Sequence, residues 1–247
     1  MYNLLISAAA SVAMLLIMIL VLKLAWWGSL IVGVIVFGLV FVLFSKITMK
    51  KVMASIEAAG KDLQAQPPRF EKAIRELKDA LQYGKWQLYV EGQLESQIGM
   101  IYYMKRDFSN AFPHLEKSFF KNWAATAMLA VSYMKRQKKD KMISTFEKAV
   151  QWNSKESLLW ALYAYCMNES GEADKAREIL TKGLKKNPGD EKLKDLLGSL
   201  QNGKKMNMRA YGDLWFQFHL ESLGALQKYQ MASMGGRMQQ RRMGGKR

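Results

Sequence analysis

The chain changes character at Phe44. From Leu4 to Phe44 apolar residues run almost unbroken, with Lys23 as the one charge. Beyond it, apolar positions recur every three or four residues among polar ones, the signature of amphipathic helices. As a single helix the apolar tract would extend about 60 Å, roughly twice the ~30 Å hydrocarbon thickness of a bilayer, so it must turn back on itself. The turn falls where Lys23, Trp26, Trp27 and Gly28 cluster, because tryptophan and lysine favour the headgroup layer and glycine tolerates a tight reversal. The pattern therefore predicts a hairpin over residues 1–45 with spans at 4–22 and 26–44. Ser7, Ala10 and Ser11 are expected to lie level with Gly38, where small side chains let the two backbones approach. A cleaved signal peptide fits less well, since Met1-Tyr2-Asn3 carries no basic residue and no convincing small-residue cleavage site precedes Lys23. No ionisable residue occupies the middle of either span, which argues against an ion pathway through this chain alone.

Residues 46–68 are expected to continue the second span as a helical linker, ending at Pro67-Pro68, which cannot propagate a helix. Phe70, Ala73, Ile74, Leu77, Ala80 and Leu81 then mark a further helix, closed by Tyr83-Gly84-Lys85. No segment sustains strict apolar/polar alternation, and the valines concentrate in the membrane tract, so no sheet is expected. The fold class is all-α.

An internal repeat refines this. Thr126, Leu129, Ala130, Tyr133, Met142, Phe146 and Ala149 are matched by Trp160, Tyr163, Ala164, Met167, Ala176, Leu180 and Gly183, every pair at the interval that separates Thr126 from Trp160. The period and the residue classes resemble the tetratricopeptide repeat family. Trp160, Ala164, Gly171, Ala176, Leu180 and Pro188 follow that pattern in the later copy, and Ile98, Gly99, Tyr102, Ala111, Leu115 and Ser118 mark an earlier one. The interval from the first copy to the second, Gly99 to Ala130, is slightly shorter than the one from Ala130 to Ala164, which implies a shortened turn between them. Met142 and Gly183 stand where alanine is usual, and Met167 where tyrosine is common. The resemblance implies an α-solenoid over residues 69–202, with its clearest repeats at 92–122, 123–156 and 157–190. The helices near 70–82 and 190–201 would be half-repeats capping the stack, since one helix pair cannot bury its apolar face alone. A membrane hairpin followed by a few repeats is also similar to a group of bacterial inner-membrane tetratricopeptide proteins.

In this family one face of each first helix lines a concave groove. Carried onto this sequence, that face comprises Gln93, Ser96, Met100, Tyr103 and Met104, then Ala127, Val131, Met134 and Lys135, then Ala161, Tyr165, Asn168 and Glu169. It lacks the Lys and Asn pattern with which chaperone-adaptor repeats clamp a terminal carboxylate. A methionine- and tyrosine-lined groove suits an amphipathic helix of a protein partner instead. Some of these side chains, Met100 and Val131 above all, read equally well as packing.

After the repeats, residues 203–230 form an aromatic amphipathic segment. Tyr211, Trp215, Phe216, Phe218, Leu220 and Leu223 need somewhere to bury, and docking back onto the chain's own repeats is the first expectation. Residues 231–247 hold no acid and several glycines, and read as a flexible basic tail. Its Arg237, Arg241, Arg242, Lys246 and Arg247 are candidate contacts for anionic lipid or, less favoured for want of interleaved aromatics, for RNA phosphates.

Charge and chemistry change the picture only at the margins. Thirty-seven Lys and Arg oppose 21 Asp and Glu, a net charge of +16, which favours anionic surfaces. Lys46, Lys50, Lys51 and Lys61 follow the second span while the reversal offers only Lys23, so the N-terminus and soluble part are expected on the cytoplasmic side, and the resemblance implies that the membrane is a bacterial inner membrane. The one cysteine, Cys166, lies in an apolar helical stretch and reads as a buried thiol. His219 reads as a packed or hydrogen-bonded side chain rather than a ligand, since His114 is the one other histidine and no Cys or acidic cluster accompanies either. No phosphate-cradling loop or nucleophile–base pair stands out, so no enzyme and no cofactor are expected. The expected function is a membrane-anchored scaffold that binds a protein partner in assembling a membrane or envelope complex, a second copy of the chain being a further candidate partner. The alternative is a membrane tether for RNA, the ribosome or anionic lipid through the basic tail.

Overall fold

Helix follows helix because the chain offers the three-and-four apolar spacing and little else. The computed structural model describes residues 1–21, 23, 25–222, 224–229 and 231, and no strand occurs among them. It divides into two compact units, Met1–Trp152 and the residues from Asn153 onward.

The first unit begins with α1 (Tyr2–Leu20) and the 39-residue α2 (Trp26–Gln64). Both are long and apolar enough to cross a membrane, with mean hydropathies of 2.4 and 2.7 over their most apolar stretches. They pack against each other, yet Leu5, Leu16, Ile35 and Leu39 stay more than half exposed. Close approach occurs at Gly33 rather than Gly38. Ser11 Oγ donates to the Gly33 carbonyl at 2.7 Å, and a Cβ at Gly33 would meet Leu15 Cδ1 at 3.2 Å, whereas one at Gly38 would meet nothing within 4 Å. The helix register puts Gly33, not Gly38, in the contact line.

α2 does not stop at the end of the apolar tract. Val52 and Ala59 on its second half enter the same core as Ile74 and Leu77 of α3 (Phe70–Ala80) and Leu94, Ile98 and Ile101 of α4 (Val90–Met104), with Met49, Ile56 and Leu63 packed alongside. Residues 46–68, expected as a linker, therefore carry an apolar stripe of 3,4,3,4 spacing that is part of the domain. A 3₁₀ turn at Leu81–Lys85 joins α3 to the loop before α4. Then follow α5 (Phe108–Glu116), α6 (Trp123–Lys135) and α7 (Lys139–Trp152). Asp107 and Asn122 cap α5 and α6 by accepting the N–H groups of Asn110 at 3.2 Å and Ala125 at 3.1 Å.

The second unit holds α8 (Ser157–Glu169), α9 (Ala173–Lys186) and α10 (Glu191–Gln201), then a 3₁₀ turn at Met208–Tyr211 and the short α11 (Asp213–Phe216). The chain length from the start of α6 to the start of α8, Trp123 to Ser157, equals that from the start of α7 to the start of α9, Lys139 to Ala173. The turn within each pair has one construction three times over. Arg106, Gln137 and Gly171 take φ of 63°, 58° and 82°, and the N–H groups of Asp107, Lys138 and Glu172 reach back to the carbonyls of Tyr102, Tyr133 and Met167, each at 3.0 Å. That is a helix end closed by a left-handed residue. The expected shortening of a turn is instead a shortening of a helix: α5 has 9 residues where α7 has 14. Just beyond α5, the Phe119 N–H donates to the Gly92 carbonyl at 2.9 Å and so ties the chain to the start of α4.

Candidate functional site

Much of the face expected to line a groove is spent on packing. In the first unit α4 touches α3, α5 and α6, and side chains caught between them have no solvent left to face. Tyr103, Ala127 and Val131 are fully buried. Ser96 is buried too, donating to the Gly92 carbonyl at 2.7 Å and accepting the Phe119 N–H at 2.9 Å. Met100 is half-buried, with Asn122 Nδ2 3.8 Å from its sulfur. Gln93, Met104, Met134 and Lys135 reach the surface, Lys135 with its ammonium 4.8 Å from the Phe108 ring centre. Behind that surface sits a pair the sequence did not reveal. Glu95 of α4 is buried, bonded to His114 Nδ1 of α5, with Lys117 Nζ at 3.9 Å. His114 also stacks on Tyr102 at 5.6 Å.

In the second unit Ala161 and Cys166 of α8 are buried, whereas Tyr165, Asn168 and Glu169 face outward on one stripe. The aromatic segment folds onto that stripe. Trp215 is fully buried with its ring edge-on to Tyr165, 4.9 Å between centroids. Its indole N–H donates to Glu221 Oε1 at 3.2 Å, and Arg209 Nη2 donates to the other oxygen at 3.3 Å. Tyr211 meets the Ser157 hydroxyl at 2.9 Å and lies under the Lys192 ammonium at 4.9 Å. Phe216 and Phe218 are buried, while Leu220 and His219 are half-buried. Leu223, and the tail residues Arg237, Arg241, Arg242, Lys246 and Arg247, lie outside the described residues.

The docked segment leaves a cavity of about 590 Å³ against the end of α8, lined by Tyr165, Asn168 and Glu169 on the repeat side and by Lys205–Arg209 and Glu221 on the other. Its rim carries both charge signs, two amides and a phenol. Burial pushes the Tyr165 hydroxyl up to about 12, with the Glu169 and Glu221 charges adding to the effect, so it remains a hydrogen-bond donor throughout the physiological range. Such a lining offers hydrogen-bond donors, acceptors and charges of both signs rather than a wholly apolar surface. Lys205, Asn207, Arg209 and Glu221 were not legible as site residues: the aromatic positions predict docking onto the repeats, but nothing in residues 203–221 tells which polar side chains come to lie beside Asn168. Among the described residues no group of three or more His, Cys, Asp or Glu side chains is placed to hold a metal ion.

Comparison with known families places a tetratricopeptide repeat at residues 143–200, from within α7 to the end of α10. No curated protein matches the chain.

Proposed function

Starting from a chain that carries a tetratricopeptide repeat, generally a non-catalytic module for protein–protein interaction, we propose that it is a membrane-anchored adaptor. Its apolar hairpin holds it in a bacterial inner membrane with the N-terminus and soluble part on the cytoplasmic side, and its third repeat takes a polar segment of a protein partner during assembly of a membrane or envelope complex. The cavity beside Tyr165, Asn168 and Glu169 carries this reading, because it joins a repeat face to charged groups of both signs in a space large enough for several residues. Support for the anchor comes from the exposed leucines and isoleucines of α1 and α2, and for the orientation from Lys46, Lys50, Lys51 and Lys61 after the second span.

A photoreactive residue in place of Asn168, in the full-length protein in its native membrane, tests the adaptor role. The expected result is capture of one membrane-complex protein, lost on adding Glu169→Arg while the melting temperature is unchanged. Crosslinks only to the chain's own residues 205–221, or capture indifferent to Glu169→Arg, would overturn it.

A further inference from the structure

We propose that the loop before α4, residues Lys85–Tyr89, dips into the phospholipid headgroup layer of the same bilayer that the hairpin crosses, so that this end of the first unit lies against the membrane instead of hanging from it. The inference rests on the membrane reading above and adds a second, peripheral contact to it.

Depth carries the argument. The N-terminal ammonium donates to the Lys85 carbonyl, and the Asn3 N–H donates to the Trp86 carbonyl at 3.1 Å. Asn3 Nδ2 also holds Thr48 Oγ1 of α2 at 3.2 Å, and the Tyr2 ring meets the Trp86 ring edge-on at 5.4 Å. These bonds pin the loop to the residues just before the first span, and those in turn to α2 just past the second. Leu88 and Tyr89 go further, lining one small cavity with Leu4 and Phe41, two side chains inside the apolar tract. A bilayer that covers Leu4 and Phe41 extends to Leu88.

The side chains there fit that depth. Leu88 and Tyr89 are 45 % and 57 % exposed, unlike Leu94 and Ile98 a turn or two later, which are fully buried. Trp86 and Tyr89 are the amphipathic rings that settle at a membrane interface, and the exposed Lys85 has the reach to meet a phosphate. Tyr89 holds φ of 67°, a conformation costly for a tyrosine, and its ring stands 5.3 Å from that of Phe119 and 6.0 Å from that of Phe120. The loop is thus a braced element, stiff enough to hold its apolar residues out in front of the domain.

The test uses the full chain with Cys166→Ser, reconstituted in phosphatidylcholine–phosphatidylglycerol vesicles. A single spin label is placed by Leu88→Cys, by Leu16→Cys at an exposed position within α1, or by Thr181→Cys on α9. Accessibility to oxygen and to a water-soluble nickel chelate is read at each. The expected order is Leu16 in hydrocarbon, Leu88 at headgroup depth with severalfold less nickel contact than Thr181, and Thr181 in water. A Leu88 label as nickel-accessible as Thr181, with Leu16 still in hydrocarbon, overturns the proposal and leaves the anchor standing. A Leu16 label in water overturns the anchor and this proposal together.

Discussion

Trp215 stands edge-on to Tyr165 at 4.9 Å and is fully buried, so the aromatic segment after the repeats is an integral part of the second unit. Removing a buried indole forfeits its transfer free energy and leaves a cavity. Trp215→Ala is expected to cost about 3–5 kcal/mol, measured by denaturant unfolding of the full chain. An unchanged midpoint would mean that the segment is not docked in solution.

Gly183 stands where the repeat family usually has alanine, and Trp160 explains the departure. A Cβ at Gly183 would lie 2.9 Å from both Cβ and Cγ of Trp160, whose indole N–H is committed to the Ser154 carbonyl at 2.9 Å. Gly183→Ala, a change toward the family pattern and toward higher helix propensity, is therefore expected to destabilise by about 1–3 kcal/mol through overpacking. A gain in melting temperature would refute this.

Gln137 performs with a side chain the task that Gly171 performs without one. Both residues are left-handed at the end of a repeat's first helix, where a Cβ is unfavourable. Gln137→Gly is expected to stabilise by about 0.5–1 kcal/mol, the relief of backbone strain exceeding the added entropy of the unfolded chain. Gly171→Ala should change stability in the opposite direction, and thermal melts of the two variants make the comparison.

Tyr133, Tyr165 and Tyr211 each have the hydroxyl pushed from 10.0 up to about 12, burial being the largest cause in every case. Since the folded state keeps these protons longer than the unfolded state, the stabilisation is whole below pH 10. It falls as pH rises from about 10 toward 12. Alkaline unfolding followed by circular dichroism should show that decline. Tyr211→Phe should make it shallower, at a cost of about 1 kcal/mol at neutral pH for the lost bond to Ser157.

His114→Ala would strand Glu95 in the core of the first unit. Its other neighbouring cation, Lys117, is 3.9 Å away and largely exposed. A loss of about 2–3 kcal/mol is expected, smaller than for a fully buried pair because Lys117 and partial solvent access remain. Glu95→Gln with His114 intact should lose less, and the two unfolding curves decide it.

Helical fold class, the apolar opening and the repeat period follow from one-dimensional pattern, because helix period, span length and repeat spacing are local or translational properties of a chain. The sequence by itself thus determined two long apolar helices and helix pairs, the last two of which recur at one interval while the first stands slightly closer, and the match at residues 143–200 agrees with a repeat. Which side of a helix is spent on its neighbours is decided only by packing. Tyr103, Ala127 and Val131 share the spacing of groove residues, yet neighbouring helices close over them. The contact of Ser11 with Gly33 depends on helix register, the exclusion of a methyl at Gly183 on how closely α8 brings Trp160 to α9, and the cavity at Asn168 on a return of the chain from Lys205 to Glu221. Those are relations between distant residues, set by shape and desolvation in three dimensions, and no periodicity along the chain encodes them.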